Sequence, residues 1–127
     1  MVSEKITSVA GSSAYFHGGV LAYSDKVKID VLGVPPAILA EHTAVSAEAA
    51  SAMADGVRRV TRSTYGLSIT GEAGPTSSSR AAVGTVFVGF AGPDDPPVAT
   101  RFQMPGGRDR VRGFAAMAAL DLVRRRL

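Results

Sequence analysis

Apolar residues recur along this chain at two different spacings, and the changes of spacing mark out its elements. Val2, Ile6 and Val9 stand four and three apart, as on one face of a helix that Gly11 brings to an end. After Gly18-Gly19, Val20-Leu21-Ala22-Tyr23 is an apolar run of strand length, and Asp25 to Leu32 suits a short helix closed by Gly33. Val34-Pro35-Pro36 opens another helical piece through Glu41, since proline suits a first helical turn. Ser46 stands at an N-cap position before a helix from Ala47 to Thr61, whose apolar stripe is Ala49, Met53, Val57 and Val60. Leu67 and Ile69 mark a strand running into Thr70-Gly71, and residues 72–82 form a loop rich in Gly, Pro and Ser. Residues 85–90 and 98–104 read as two strands joined across Gly92-Pro93-Asp94-Asp95-Pro96, which predicts a hairpin. From Asp109 to Leu127, Val111, Phe114, Ala115, Ala118 and Leu122 share one face of an amphipathic helix.

Helices thus alternate with strands, and one pair of strands is a hairpin. The pattern predicts a single α/β domain over residues 1–127: three layers, α/β/α, with a mixed sheet flanked by helices. Composition agrees, with 46% hydrophobic and 20% charged residues, as in a globular chain. No apolar stretch approaches the roughly 18 residues of a membrane span, and no secretory signal is evident, so a cytoplasmic protein is expected. The absence of cysteine excludes thiol nucleophiles and thiolate metal sites within these residues.

The net charge of +3 is unevenly spread: seven of fourteen basic residues lie after position 100. Arg124, Arg125 and Arg126 close a helix, where cations favour the exposed carbonyls, and no aromatic residues interleave with them. A nucleic-acid partner is therefore disfavoured. His17 and His42 lack the spacing of a triad or metal site, and no metal or cofactor is implied.

Two segments are richer in polar residues and glycine than packing needs. In the first, an apolar run delivers Tyr23 and Ser24 at its end, with Lys28 about a turn later; in the second, a strand empties into Thr70-Gly71-Glu72-Ala73-Gly74-Pro75. Both are arrangements seen where α/β sheets bind ligands. The plainer reading makes Tyr23 a residue at the edge of the core, Lys28 a solvated helix residue and the Gly-Pro stretch a turn.

Gly11-Ser12-Ser13-Ala14-Tyr15-Phe16, Gly18-Gly19-Val20, Ala22-Tyr23-Ser24, Lys28-Ile29-Asp30 and Leu32-Gly33-Val34-Pro35 together resemble the CinA C-terminal domain, the nicotinamide-nucleotide amidase family. The similarity continues through Ala44-Val45-Ser46, Met53-Ala54-Asp55-Gly56, Thr70-Gly71, Ala73-Gly74-Pro75 and Val83-Gly84-Thr85-Val86 to Arg108, Val111-Arg112 and Ala119-Leu120. It implies hydrolysis of the carboxamide of nicotinamide mononucleotide to the acid and ammonia, by a serine nucleophile that a lysine activates beside a tyrosine. Lys28 and Tyr23 fall on those lysine and tyrosine positions. Thr70, Gly71 and Gly74 fall on a loop near the substrate, and Arg108 and Arg112 are candidates for its phosphate. Ser12 and Ser13 are turn hydroxyls or donors to the substrate. A lysine base must be neutral, which requires a pKa well below about 10.4, lowered by burial or by a cation such as Lys26 or an arginine.

Several departures qualify the resemblance. The family's Ser-Cys-Thr-Gly-Gly motif, which holds the nucleophile, would align just before Met1, so the serine and the strand preceding it are expected outside this sequence. The chain as given is then expected to lack amidase activity, and its sheet to show a gap or raw edge. Glu72 stands where the family has an apolar residue, Thr76-Ser77-Ser78-Ser79 replaces a more glycine-rich run, and Gly107 replaces an aspartate before the last helix. The alternative is a non-catalytic member that binds a nucleotide or a protein. The expected partners are a small-molecule nucleotide and further copies of the chain, with no membrane.

Overall fold

The structure is a computed structural model that describes residues 1–127. Its helices are α1 (Val2–Thr7), α2 (Asp25–Asp30), α3 (Pro36–His42), α4 (Ala47–Thr61) and α5 (Arg108–Arg126), and its strands are β1 (Gly66–Gly71), β2 (Thr85–Ala91) and β3 (Val98–Gln103). A 3-10 turn covers Ser12–Ala14. The strands lie in the order β1-β2-β3. Both pairings are antiparallel, with Ile69 opposite Val88 and Val88 opposite Thr100.

The alternation of side chains along the strands assigns one helix to each face of the sheet. Val86 and Val88 point to one side, where they form a core with Val111, Ala115 and Ala119 of α5. Gly66, Ser68, Thr70 and Gly89 present only small side chains to the other side, and there α4 comes close enough for backbone contact. Ser68 Oγ donates to the carbonyl of Ala50 at 2.6 Å, and a β-carbon at Gly66 would stand 2.1 Å from the carbonyl oxygen of Ala54. A second core of Leu32, Val34, Leu39, Ala49 and Met53 lies between α4 and the segments before it.

The three-layer α/β/α arrangement is the one the alternating pattern predicts. Within these residues, however, the sheet contains no parallel pair and is antiparallel rather than mixed. The predicted hairpin forms with β2 and β3. Ser46 caps α4 as predicted, accepting from the amide of Ala49 at 3.1 Å and donating to the carbonyl of Thr43 at 2.8 Å.

Two further expectations need correction. Residues 20–23 are not a strand: no backbone group from Gly18 to Tyr23 bonds to another backbone group, and Leu21 is 89% exposed. An apolar run becomes a strand only where a neighbour supplies its hydrogen bonds, and no strand lies beside this one. The buried face of α5 is also rotated from the predicted one. Val111, Ala115, Ala116 and Ala119 are buried, whereas Phe114 stands outside with the Arg110 guanidinium 5.6 Å from its ring centre. Alanines let α5 settle closer to the sheet than a face containing Phe114 would allow. No helix is long and apolar enough to cross a membrane.

Candidate functional site

The outer edge of β1, the side away from β2, has no strand partner. Along it runs an open groove of about 1420 Å³, also lined by residues 16–23, by the start of the β1–β2 connection and by the first turns of α5. A closed small-molecule pocket is typically about 300–1,000 Å³, so this is a cleft larger than a single small ligand requires.

Lys28 reaches the groove from α2. Ser24 caps that helix by accepting from the amide of Val27 at 3.2 Å, which fixes its first turn. Lys28 then falls on the inner side and is only 6% exposed, while Lys26 points to solvent and pairs with Asp30. Of the two features expected around Lys28, burial is present; the charged partner it has is the carboxylate of Asp25, 3.8 Å from Nζ, which precedes it by three residues, a spacing that brings side chains together on a helix. Asp25 is a site residue the sequence reading passed over, although the i,i+3 spacing was there to be read.

Seven of the nine residues singled out from the sequence line this one groove: Tyr23, Lys28, Thr70, Gly71, Gly74, Arg108 and Arg112. Tyr23 is 84% exposed, at the end of an extended segment rather than of a buried strand. The Thr70 hydroxyl donates to the carbonyl of Ala44 at 2.7 Å, so its proton ties β1 to the junction before α4. Gly71 ends β1, and a β-carbon there would stand 3.0 Å from the carbonyl oxygen of Thr85. Gly74 adopts φ +88° and offers its carbonyl to Arg108 Nη1 at 2.9 Å. Arg108 therefore braces the loop with one nitrogen, whereas Arg112 is exposed and enters no ion pair or side-chain hydrogen bond. Ser12 and Ser13 do not line the groove; Ser12 is buried in the 3-10 turn.

Glu72 is only 7% exposed. Its amide donates to Thr85 O at 2.9 Å and its carbonyl accepts from Gly84 N at 2.7 Å, extending the β1–β2 ladder by one residue. Its carboxylate folds back over the loop to accept from the amides of Ser78 and Ser79. Burial raises the pKa of this carboxyl, but hydrogen bonds from the Ser77 hydroxyl, the Ser78 and Ser79 amides and the Ser78 hydroxyl outweigh it, and the net shift is below the ordinary 4.5. The sequence showed Glu72 as a departure from its family without showing where the carboxylate goes.

His17 Nδ1 lies 3.2 Å from the carbonyl of Thr61, and His42 lies 3.8 Å from Glu41 and 3.7 Å from Glu48, so each ring has a local polar partner. At the end of α5, Arg124 and Arg125 pair with Asp121, and Arg126 lies over Phe90 at 5.4 Å.

The molecule is thus a layered α/β domain in which a lysine, a tyrosine and two arginines line one groove at the outer edge of β1. The chain belongs to the CinA C-terminal domain family, whose profile matches residues 1–127. It is 51% identical over 128 residues to a CinA-like protein of Solibacter usitatus and 47% identical to one of Myxococcus xanthus, in each case over all of this chain and 30% of the relative. The chain thus spans about 30% of the length of the curated relatives it matches. Among solved structures, the CinA superfamily protein of Enterobacter cloacae superposes with a TM-score of 0.91 at 26% identity, over 96% of this chain and 72% of that one. The competence/damage inducible protein of Agrobacterium tumefaciens does so with 0.90 at 29%, over 96% and 75%.

Proposed function

We propose that this domain is the lysine-bearing part of an amidohydrolase acting on the carboxamide of nicotinamide mononucleotide, with its serine nucleophile supplied from outside these 127 residues. The observation that carries the reading is the convergence of buried Lys28, Tyr23, the Thr70 to Gly74 loop, Arg108 and Arg112 on one groove. The serine oxygen attacks the carboxamide carbon, and Lys28 accepts the hydroxyl proton. The carbonyl oxygen becomes an oxyanion held by backbone N–H groups. As the tetrahedral adduct collapses, the C–N bond breaks and the proton passes from Lys28 to the departing nitrogen, which leaves as ammonia. Water then cleaves the serine ester and releases the carboxylate. Arg112 and the unused nitrogens of Arg108 take the phosphate, a group that a guanidinium fork suits.

The test is ammonia release from nicotinamide mononucleotide. The 127-residue chain is expected to release none, and a longer form that includes the serine-bearing segment is expected to release it in a Lys28-dependent manner. Turnover by the 127-residue chain would overturn this reading and direct attention to an internal serine.

A second reading, a member of the family that binds a nucleotide or a protein without chemistry, is favoured by the exposure of Tyr23, which leaves its side chain largely in solvent. The gene separates the two. In-frame codons for Ser-Cys-Thr-Gly-Gly directly upstream of Met1 favour the enzyme, and a stop codon there favours the binding module. Self-association, the other partner expected from the sequence, is part of the same proposal, with the unpaired edge of β1 as the surface most suited to it.

A further inference from the structure

Glu72 is a buried carboxylate without a cation. None of the ion pairs in the chain includes it. Its partners are instead the successive amides of Ser78 and Ser79, the latter at 3.0 Å, together with the Ser78 hydroxyl at 3.2 Å and Ser77 Oγ at 2.8 Å. The single Ser77 proton is shared among Glu72, Ser79 O and Ala81 O, so the two amides are the fixed donors. Successive backbone N–H groups aimed at one point form a concavity that binds anions. Here the anion is part of the chain. The cluster opens on the groove, since Glu72, Ser78 and Ser79 all line it, and the far end of the loop is pinned by Arg80 Nη1 donating to the carbonyl of Glu41 at 2.8 Å.

We propose that Glu72 is a specificity-determining residue: a resident anion that fills the donor cluster of the 77–79 turn and closes it to the anionic group of a groove ligand. Two effects act together. The amide donors are already occupied, and a second anion brought beside a poorly solvated carboxylate is repelled. The carboxylate is charged at neutral pH, and the downward shift of its pKa extends that state to more acid conditions, so the cluster stays closed. An incoming phosphate is then left to Arg112 and the unused nitrogens of Arg108; this last step alone rests on the function proposed above.

The amide signals of Ser78 and Ser79 in the 15N-labelled chain report the cluster directly, with inorganic phosphate as the probe. In the wild type both are expected far downfield and unchanged by phosphate. In Glu72→Ala both are expected to move upfield and then to shift saturably at millimolar phosphate. Glu72→Gln, which keeps an acceptor and loses the charge, is expected to respond more weakly than Glu72→Ala. Wild-type amides that titrate with phosphate as the variant's do would overturn the proposal. So would two variants whose signals collapse to disordered positions with no phosphate response, because Glu72 would then only hold the loop in shape. Wild-type failure to bind nicotinamide mononucleotide, with the amides behaving as expected, counts against the amidase reading and leaves the closed anion seat standing.

Discussion

Gly89 lies directly beneath Ala50: a β-carbon at Gly89 would stand 2.2 Å from the Ala50 carbonyl oxygen and 2.4 Å from Ser68 Oγ. That carbonyl already accepts from Ser68, so it cannot move away without losing a buried hydrogen bond. Gly89→Ala is expected to cost about 3 kcal/mol, the upper part of the usual overpacking range. A urea titration reads this as a lower midpoint with an unchanged slope. A variant within about 0.5 kcal/mol of wild type would mean that the helix and sheet can separate freely, contrary to the fold described.

Thr43 combines φ 67° and ψ 171°, a backbone conformation suited to glycine, with a buried hydroxyl that has no partner. Such strain costs about 1–3 kcal/mol, and the orphaned hydroxyl adds to it. Glycine gives back about 0.5–1 kcal/mol through the entropy of the unfolded chain. Thr43→Gly is therefore expected to stabilise the protein by about 1 kcal/mol and to raise Tm by several degrees. A fall in Tm would show that the methyl group packs better than the strain costs.

The Glu72 carboxyl titrates below 4.5 in the folded state, so its contribution is present above its unfolded pKa and is lost as pH falls through the folded one. At neutral pH, Glu72→Gln is expected to cost about 1–3 kcal/mol, the range for a buried group deprived of charged hydrogen bonds. At pH 3 the gap between variant and wild type should narrow. Asp121, whose carboxyl is lowered by its hydrogen bond from Arg124, titrates in the same acid region, so the informative quantity is the difference between the two proteins. An equal gap at both pH values would mean that the charge of Glu72 contributes nothing.

Lys28→Met separates chemistry from folding. Methionine can occupy the same buried space, and the lost partner Asp25 is 63% exposed, so stability should change by less than about 1 kcal/mol. In a serine-bearing longer form, ammonia release should fall by about 10²–10⁴-fold, as for loss of a general base. Retained turnover would remove Lys28 from the mechanism.

The hairpin, α4 and α5 were legible in the sequence because each carries its own local signal: the Gly92 to Pro96 turn, the Ser46 cap, and apolar residues at helical spacing. The run at 20–23 misled because apolarity reports a tendency to be buried, whereas a strand also needs a neighbour, which no local pattern reveals. The pairing of β1 with β2 was hidden for a related reason, since a long Ser-, Gly- and Pro-rich connection separates them. The Tyr23–Lys28 segment, Thr70 and Arg108 are far apart in sequence, and only the family resemblance brought the three regions together before the groove did. Asp25 beside Lys28 was legible from its i,i+3 spacing on α2, whereas the folded-back carboxylate of Glu72 depends on a side-chain direction that neither composition nor motif specifies.

The contact of α4 with the small-residue face of the sheet has a consequence for how this domain can change. Where main chain rests on main chain, the spacing between layers is set by atoms that substitutions elsewhere do not alter. Most of the groove's lining comes from loops and short helices attached to that fixed frame, and its exposed side chains, such as Tyr23 and Arg112, can be exchanged without unsettling it. Sequence drift in such a molecule is free to rewrite what the groove accepts long before it threatens the fold.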